Sequence, residues 1–220
     1  NTKDETVWVA RKYIKNYLKA KNENADLINT DKIRWELNKL NFPICFYDYE
    51  SCCVPVPFLN NTWPYEHVVV QYSLHKLYED WTLKHYWWVL VGTWDKSVEQ
   101  IKIKDNPNQV EYESEKVITW WYKDLLDEFI CDIWADMDSS FVVWHKWFEN
   151  SRNDDIWDSF PELAIAFETI NSNTFDLKEI FSNWYYYSHR FKWSSSIKFV
   201  LPAVVPSMTL FRISSKWGYR

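Results

Sequence analysis

The sequence predicts an α/β domain built on a mixed β-sheet flanked by helices. Three observations carry that prediction. Short apolar runs rich in β-branched and aromatic residues come first, over residues 44–47, 67–77 and 83–91. The second and third of these lie close enough to form a hairpin. From about Val117 onward, stretches with apolar residues every three or four positions alternate with another short apolar run. Strands that begin as a hairpin group and then alternate with helices belong to a layered α/β architecture. A chain of 220 residues suits one domain with a sizeable core.

Residues 1–40 are polar and charged, with a helix expected from about Thr30 to Leu40 and Thr30 or Asp31 as its cap. They read as the end of an upstream region, and residues 41–220 as the domain itself. Ile44-Cys45-Phe46-Tyr47 is a buried strand that ends in Asp48-Tyr49-Glu50. A loop with Pro55, Pro57 and Pro64 follows. His67–Leu77 and Leu83–Val91 pair as a hairpin that turns near Glu79-Asp80-Trp81, and residues 93–110 form a polar loop. Val117, Ile118, Trp121, Leu125, Leu126, Phe129, Ile130 and Ile133 fit one amphipathic helix. Ser140–Trp144 is a short buried strand. Helices are expected over about 148–157, 161–170 and 195–201.

Composition excludes several classes. Aromatics at 20% exclude a disordered chain. With only Gly92 and Gly218, no glycine-rich phosphate loop can be written. The net charge of −6 is that of no generally basic nucleic-acid binder, yet residues 180–220 carry six basic residues and no acidic one. Cys45, Cys52, Cys53 and Cys131 have no metal-ligand spacing, and Cys45 reads as a core thiol. No apolar stretch approaches the roughly 20 residues that span a membrane. A cytoplasmic location is the expectation for a chain with few cysteines.

The chemistry lies in the carboxylates. Residues i and i+2 of a strand share a face, so Asp48 and Glu50 stand side by side. Unpaired, they repel, and a hard divalent cation such as Mg²⁺ or Mn²⁺ resolves the conflict. Glu149 follows the strand 140–144 and falls in the first turn of a helix, where an acid also favours the helix N-terminus. Asp176, in Thr174-Phe175-Asp176-Leu177, is the third acid, with a helix cap as its structural alternative.

The joint pattern resembles the ribonuclease H-like 3′–5′ exonucleases with four acidic metal ligands, the DEDD class. There, D-x-E on a first strand precedes a hairpin, a helix, a strand and an acid just after an aromatic residue, here Phe148-Glu149. A closer resemblance, over residues 41 to about 213, is to a bacterial family described as domain of unknown function 2779. It rests on Phe42–Ser51, Pro64-Tyr65-Glu66, Gln71–His75, Val142-Val143-Trp144 with Phe148-Glu149 and Arg152, and Ser196–Ala203 with Pro206.

The resemblance implies a three-layer ribonuclease H-like fold. It also implies phosphodiester hydrolysis of single-stranded DNA or RNA with two divalent ions held by Asp48, Glu50 and Glu149, and Asp176 as a further metal ligand. Arg190, Lys192 and Lys198 would neutralise the nucleic-acid backbone. Tyr185, Tyr186, Tyr187 and Phe191 would stack bases or pack the core. It further implies an upstream nuclease-like region, like a CRISPR-associated exonuclease, before residues 1–40. Two departures stand out. His145 occupies a place where such families carry Asn, and the sequence has no Asp or Glu after Glu179 to supply a last ligand from a C-terminal helix. The alternative is a module that keeps this fold without its chemistry, binding nucleic acid or serving as a scaffold.

Sixteen tryptophans against two glycines invert the usual order. Their sum is close to what an average chain carries as glycine, at about 7%. The reading is that many of these tryptophans are glycine in the organism, through UGA codons translated by a different table. Trp63, Trp147 and Trp193 fall where turns or the family pattern favour a small residue.

Overall fold

The computed structural model of the protein describes residues 14–59, 62–90, 114–119 and 122–206, with 114–119 described by their backbone alone. In chain order the elements are α1 (residues 14–23), β1 (Leu27–Ile28), α2 (Thr30–Leu37), β2 (Ile44–Cys53), β3 (His67–Leu77), β4 (Leu83–Leu90) and β5 (Ser114–Thr119). There follow α3 (Tyr122–Ile133), β6 (Phe141–Val143), α4 (Lys146–Ser159), α5 (Ala164–Ser172), β7 (Thr174–Asp176), α6 (Lys178–Ser182), β8 (Tyr186–Tyr187) and α7 (Ile197–Val204). The chain divides into two compact units, residues 40–176 and residues 1–39 with 177–220. The sequence predicts one domain over 41–220; residues 177–220 instead group with the lead-in.

The larger unit is built on a six-stranded mixed sheet in the order β5-β4-β3-β2-β6-β7. β2, β3 and β4 form an antiparallel meander. β6 then runs parallel to β2, and β7 parallel to β6. The return from β4 to β6 passes through β5 and α3, the crossover that a parallel neighbour requires. β2 is longer than its apolar run suggests, because its pairing with β3 continues through Ser51–Cys53 beyond a register shift after Glu50. Val117 and Ile118 belong to β5 rather than to the helix. Two adjacent β-branched residues fit the helical spacing of the residues after them by accident, and pairing with β4 takes them into the sheet.

One face of the sheet carries the core. Cys45, Tyr47 and Tyr49 of β2, Tyr72 and Leu74 of β3, Trp88 of β4 and Phe141 and Val143 of β6 are buried there. Leu125, Leu126, Phe129, Ile130 and Ile133 supply the apolar stripe of α3, and Ile156, Phe167 and Ile170 come from α4 and α5. Cys45 is wholly buried, as expected for a core thiol, and burial pushes its thiol up to about 12. Lys76 is also buried, paired with Asp136 at 2.7 Å and donating to the Asp132 carbonyl. Along β2 the alternate positions Phe46, Asp48 and Glu50 are exposed or half-buried. Within this unit α3, α4 and α5 all contribute residues to that core, which gives an α/β architecture of mixed sheet and helices.

In the smaller unit, β1 and β8 form a two-stranded antiparallel ladder. α2 is capped by Asn29, whose Oδ1 accepts from the Lys32 N–H at 3.1 Å. The cap is thus one residue earlier than Thr30, because the Asn29 amide oxygen reaches the third helical N–H. Arg190 pairs with Asp26 at 2.9 Å, and Asp26 also accepts from the Tyr186 hydroxyl. Tyr187 and Phe191 are buried, so core packing accounts for them. No described helix is long and apolar enough to cross a membrane. The polar loop at 93–110 lies outside the described residues.

Candidate functional site

Two parallel strand ends and one helix assemble the site in the larger unit. β6 runs parallel beside β2, with β7 on its far side, so the turn from β6 into α4 starts close to the level at which Asp48 stands. α4 is fixed at both its start and its middle. At its start, Asp176 at the end of β7 accepts the Lys146 N–H at 3.2 Å, while Lys146 Nζ donates to the Thr174 carbonyl at 2.6 Å. In its middle, Asn153 is fully buried and accepts from the Tyr49 hydroxyl at 3.0 Å. The same amide donates to Asn171 at 2.7 Å and to the Tyr47 hydroxyl at 3.4 Å. Asn171 in turn donates to Asp154 at 2.8 Å.

Glu149 stands four residues before Asn153, one turn along the same helix face. The anchor that ties Asn153 to Tyr49 therefore carries Glu149 to the neighbouring strand residue, Asp48. The Asp48 and Glu149 carboxyl groups interact with each other and with the Tyr49 backbone N–H. Glu149 is only 4% exposed. Its Oε2 is buried and has no hydrogen-bond partner. Burial, and then the Asp48 charge beside it, pushes the Glu149 carboxyl up to about 8. Asp48 is shifted the same way, by desolvation and by the Glu50 charge. Arg152 lies across the Phe148 ring at 5.2 Å and moderates the negative charge at Glu149.

The orphaned oxygen provides a test of whether a cation fits. A buried carboxylate oxygen without a donor, pressed against a second carboxylate, is an arrangement that a proton or a cation completes. Asp48 and Glu149 therefore fit a divalent ion. Glu50 shares the exposed face of β2 with Asp48 and acts on it through its charge. Among the described residues, no group of three or more His, Cys, Asp or Glu side chains is gathered closely enough to hold a metal ion. Asp176 sits at the start of α4, bonded to the Lys146 N–H. His145 holds the N-cap position of α4 and is exposed, with no side-chain capping bond.

The remaining residues of interest belong to the smaller unit. Arg190 is engaged with Asp26, Lys192 lies 5.8 Å over the Phe199 ring, and Lys198 is exposed in the first turn of α7. Asn153 has a role that the sequence reading does not single out. Its one signal is its spacing from Glu149, a buried-face position in an otherwise polar helix.

A family model described as domain of unknown function 2779 matches residues 45–196. The chain belongs to this family. The match begins on β2 at Cys45 and ends just before α7, so it includes Asp48, Glu50, Glu149, Asp176, Arg190 and Lys192 and leaves Lys198 outside. No curated protein matches the chain.

Proposed function

We propose that this domain of the 2779 family is a metal-dependent nuclease of the ribonuclease H-like kind, hydrolysing phosphodiester bonds at single-stranded DNA or RNA ends in the 3′–5′ direction. The observation that carries the reading is the Asp48–Glu149 carboxyl pair with its orphaned, buried Glu149 oxygen. Support comes from the chain order: D-x-E on β2, an antiparallel hairpin, a helix, a parallel strand and then an aromatic-acid pair at the start of α4. That is the layout the family resemblance implies.

In this reading Asp48 and Glu149 hold a divalent ion, and Glu50, beside them on the strand, completes the set. A bound Mg²⁺ or Mn²⁺ would supply an activated water and neutralise charge on the phosphodiester. The chain's own contribution is positional. The Tyr49–Asn153 bond sets the height of α4 on the sheet, and the Asp176 bond to Lys146 sets where the helix begins. Arg190, Lys192 and Lys198 are proposed as backbone contacts, the engaged Arg190 being the one whose partner must be exchanged.

A second reading, a nucleic-acid-binding or scaffold module without catalysis, is favoured by the absence of a three-ligand group among the described residues. One experiment separates the two. End-labelled single-stranded DNA and RNA are incubated with the protein and Mn²⁺, beside Asp48→Ala. Metal-dependent shortening lost in Asp48→Ala supports the nuclease. Retention of the strand without cleavage supports the binding module, and cleavage equal in both proteins removes Asp48 from the chemistry.

A further inference from the structure

Three tryptophans adopt backbone conformations that belong to glycine. Trp81, Trp184 and Trp193 have φ of 66°, 62° and 66°. Left-handed φ is uncommon for any residue with a Cβ, and for a bulky one it is an outlier.

Each of the three sits where local hydrogen bonding demands that conformation. Trp81 closes the β3–β4 hairpin. Its N–H donates to the Tyr78 carbonyl at 3.0 Å, and the Tyr78 N–H donates to the Thr82 carbonyl at 3.0 Å. Glu79-Asp80-Trp81 is thus a three-residue loop, a turn followed by a left-handed residue, and that last place is the glycine place. Trp184 follows the C-cap of α6, Asn183. Its N–H donates to the Phe181 carbonyl at 3.1 Å, and the Tyr185 N–H donates to the Ile180 carbonyl at 3.0 Å. That pair of bonds is the Schellman motif, whose left-handed position is usually glycine. Trp193 follows the short helical turn His189–Phe191, and the Ser194 N–H closes back to the Phe191 carbonyl at 2.9 Å.

Exposure points the same way at Trp81 and Trp193, while Trp184 is half-buried. Trp81 is 78% exposed, and Trp35, Trp63, Trp134, Trp147 and Trp193 are exposed too, whereas Trp is normally among the most buried side chains on average. Trp88, on the core face of β4, is a tryptophan in its proper surroundings. Of the other residues with positive φ, Asn24 is of a type that tolerates it, Lys192 shares the Phe191–Ser194 turn with Trp193, and Tyr65 stands third in the turn that the Glu66 N–H closes on the Trp63 carbonyl at 3.1 Å.

We propose that positions 81, 184 and 193 are glycine in the protein its own cell makes, the tryptophans of this sequence standing for UGA codons that the cell reads as glycine. The sequence expectation names Trp63, Trp147 and Trp193. The backbone keeps Trp193 among the left-handed positions, adds Trp81 and Trp184, and leaves Trp63 and Trp147 as exposed residues without that signature. One consequence concerns ligands. Trp184 stacks on Tyr187 at 4.0 Å and Trp193 on Tyr17 at 4.3 Å, and neither indole is then a base-stacking surface of the native protein.

The test has two arms. Peptide mass mapping of the protein isolated from its own cells is expected to show glycine at 81, 184 and 193; tryptophan at any of the three overturns the proposal for that position. In the recombinant protein carrying this sequence, Trp81→Gly, which breaks no ring pair among the described residues, is expected to lower the unfolding equilibrium constant about tenfold by removing the left-handed penalty. The control Trp88→Gly raises it by about a hundredfold or more, as loss of a buried aromatic does. An unfolding constant that rises in Trp81→Gly overturns the backbone argument.

Discussion

Replacing Glu149 with glutamine should make the protein more stable in alkali, and the size of the gain follows from the site. Glu149 is buried beside Asp48, and its carboxyl titrates at about 8 instead of 4.5. The folded protein therefore holds this proton more tightly than the unfolded chain does. Stability from this group is complete below about pH 4.5 and is lost as pH rises to about 8. A tenfold difference in proton affinity between the folded and unfolded chain is worth about 1.4 kcal/mol, so the loss across the window is on the order of a few kcal/mol. Glutamine keeps the shape and never ionises. Urea denaturation of both proteins at pH 5 and pH 9 gives the difference for Glu149 together with the Asp48 it is coupled to, while remote titrating groups cancel. The expectation is near-equal stability at pH 5 and a Glu149→Gln advantage of about 2–5 kcal/mol at pH 9. Mn²⁺ should close that gap for the parent protein, since a cation replaces the proton between the two carboxylates. A stability difference that does not change between pH 5 and pH 9 would refute the idea of a strained carboxyl pair.

Other expected outcomes concern the scaffold. Asn153→Ala leaves the Tyr49 hydroxyl without its buried acceptor and should cost about 1–3 kcal/mol in urea denaturation. It should also weaken Mn²⁺ binding, because Asn153 sets the position of Glu149. Lys76→Ala strips the Asp136 carboxylate of its buried partner and should destabilise by about 3–5 kcal/mol. Asp176→Ala removes the acceptor for the first N–H of α4 and should cost about 1 kcal/mol by thermal denaturation.

Much of this is legible in the residues. The alternation of β2 places Tyr47 and Tyr49 on one side and Asp48 and Glu50 on the other, because a strand buried on one face must alternate. The stripe Leu125–Ile133 marks α3 for the same reason at helical period. Glu149 stands out by its position after a strand and at the start of a polar helix. What cannot be read locally is long-range. Val117 and Ile118 match the spacing of the helix that follows, and only β4 as a neighbour takes them into a strand. Asn153 is one polar residue among many in α4, and its role depends on a tyrosine 104 positions away. Asp176 reads equally as a ligand or a cap from sequence, and the distance to Lys146 gives it the contact seen here. The lead-in and the segment after Leu177 meet through the two-residue β1–β8 pairing, the Asp26 bonds to Tyr186 and Arg190 and the Tyr17–Trp193 stack, all silent in any local pattern.

Everything proposed for the site turns on whether Asp48 and Glu149 together hold a divalent cation. Calorimetric titration of the full chain with Mn²⁺, beside Asp48→Ala, measures this directly. Saturable binding to the parent protein is predicted, weakened at least about tenfold in Asp48→Ala, the loss expected when one of two paired carboxylates is removed from a hard-cation site. Equal binding by both proteins, or none by the parent, would contradict it.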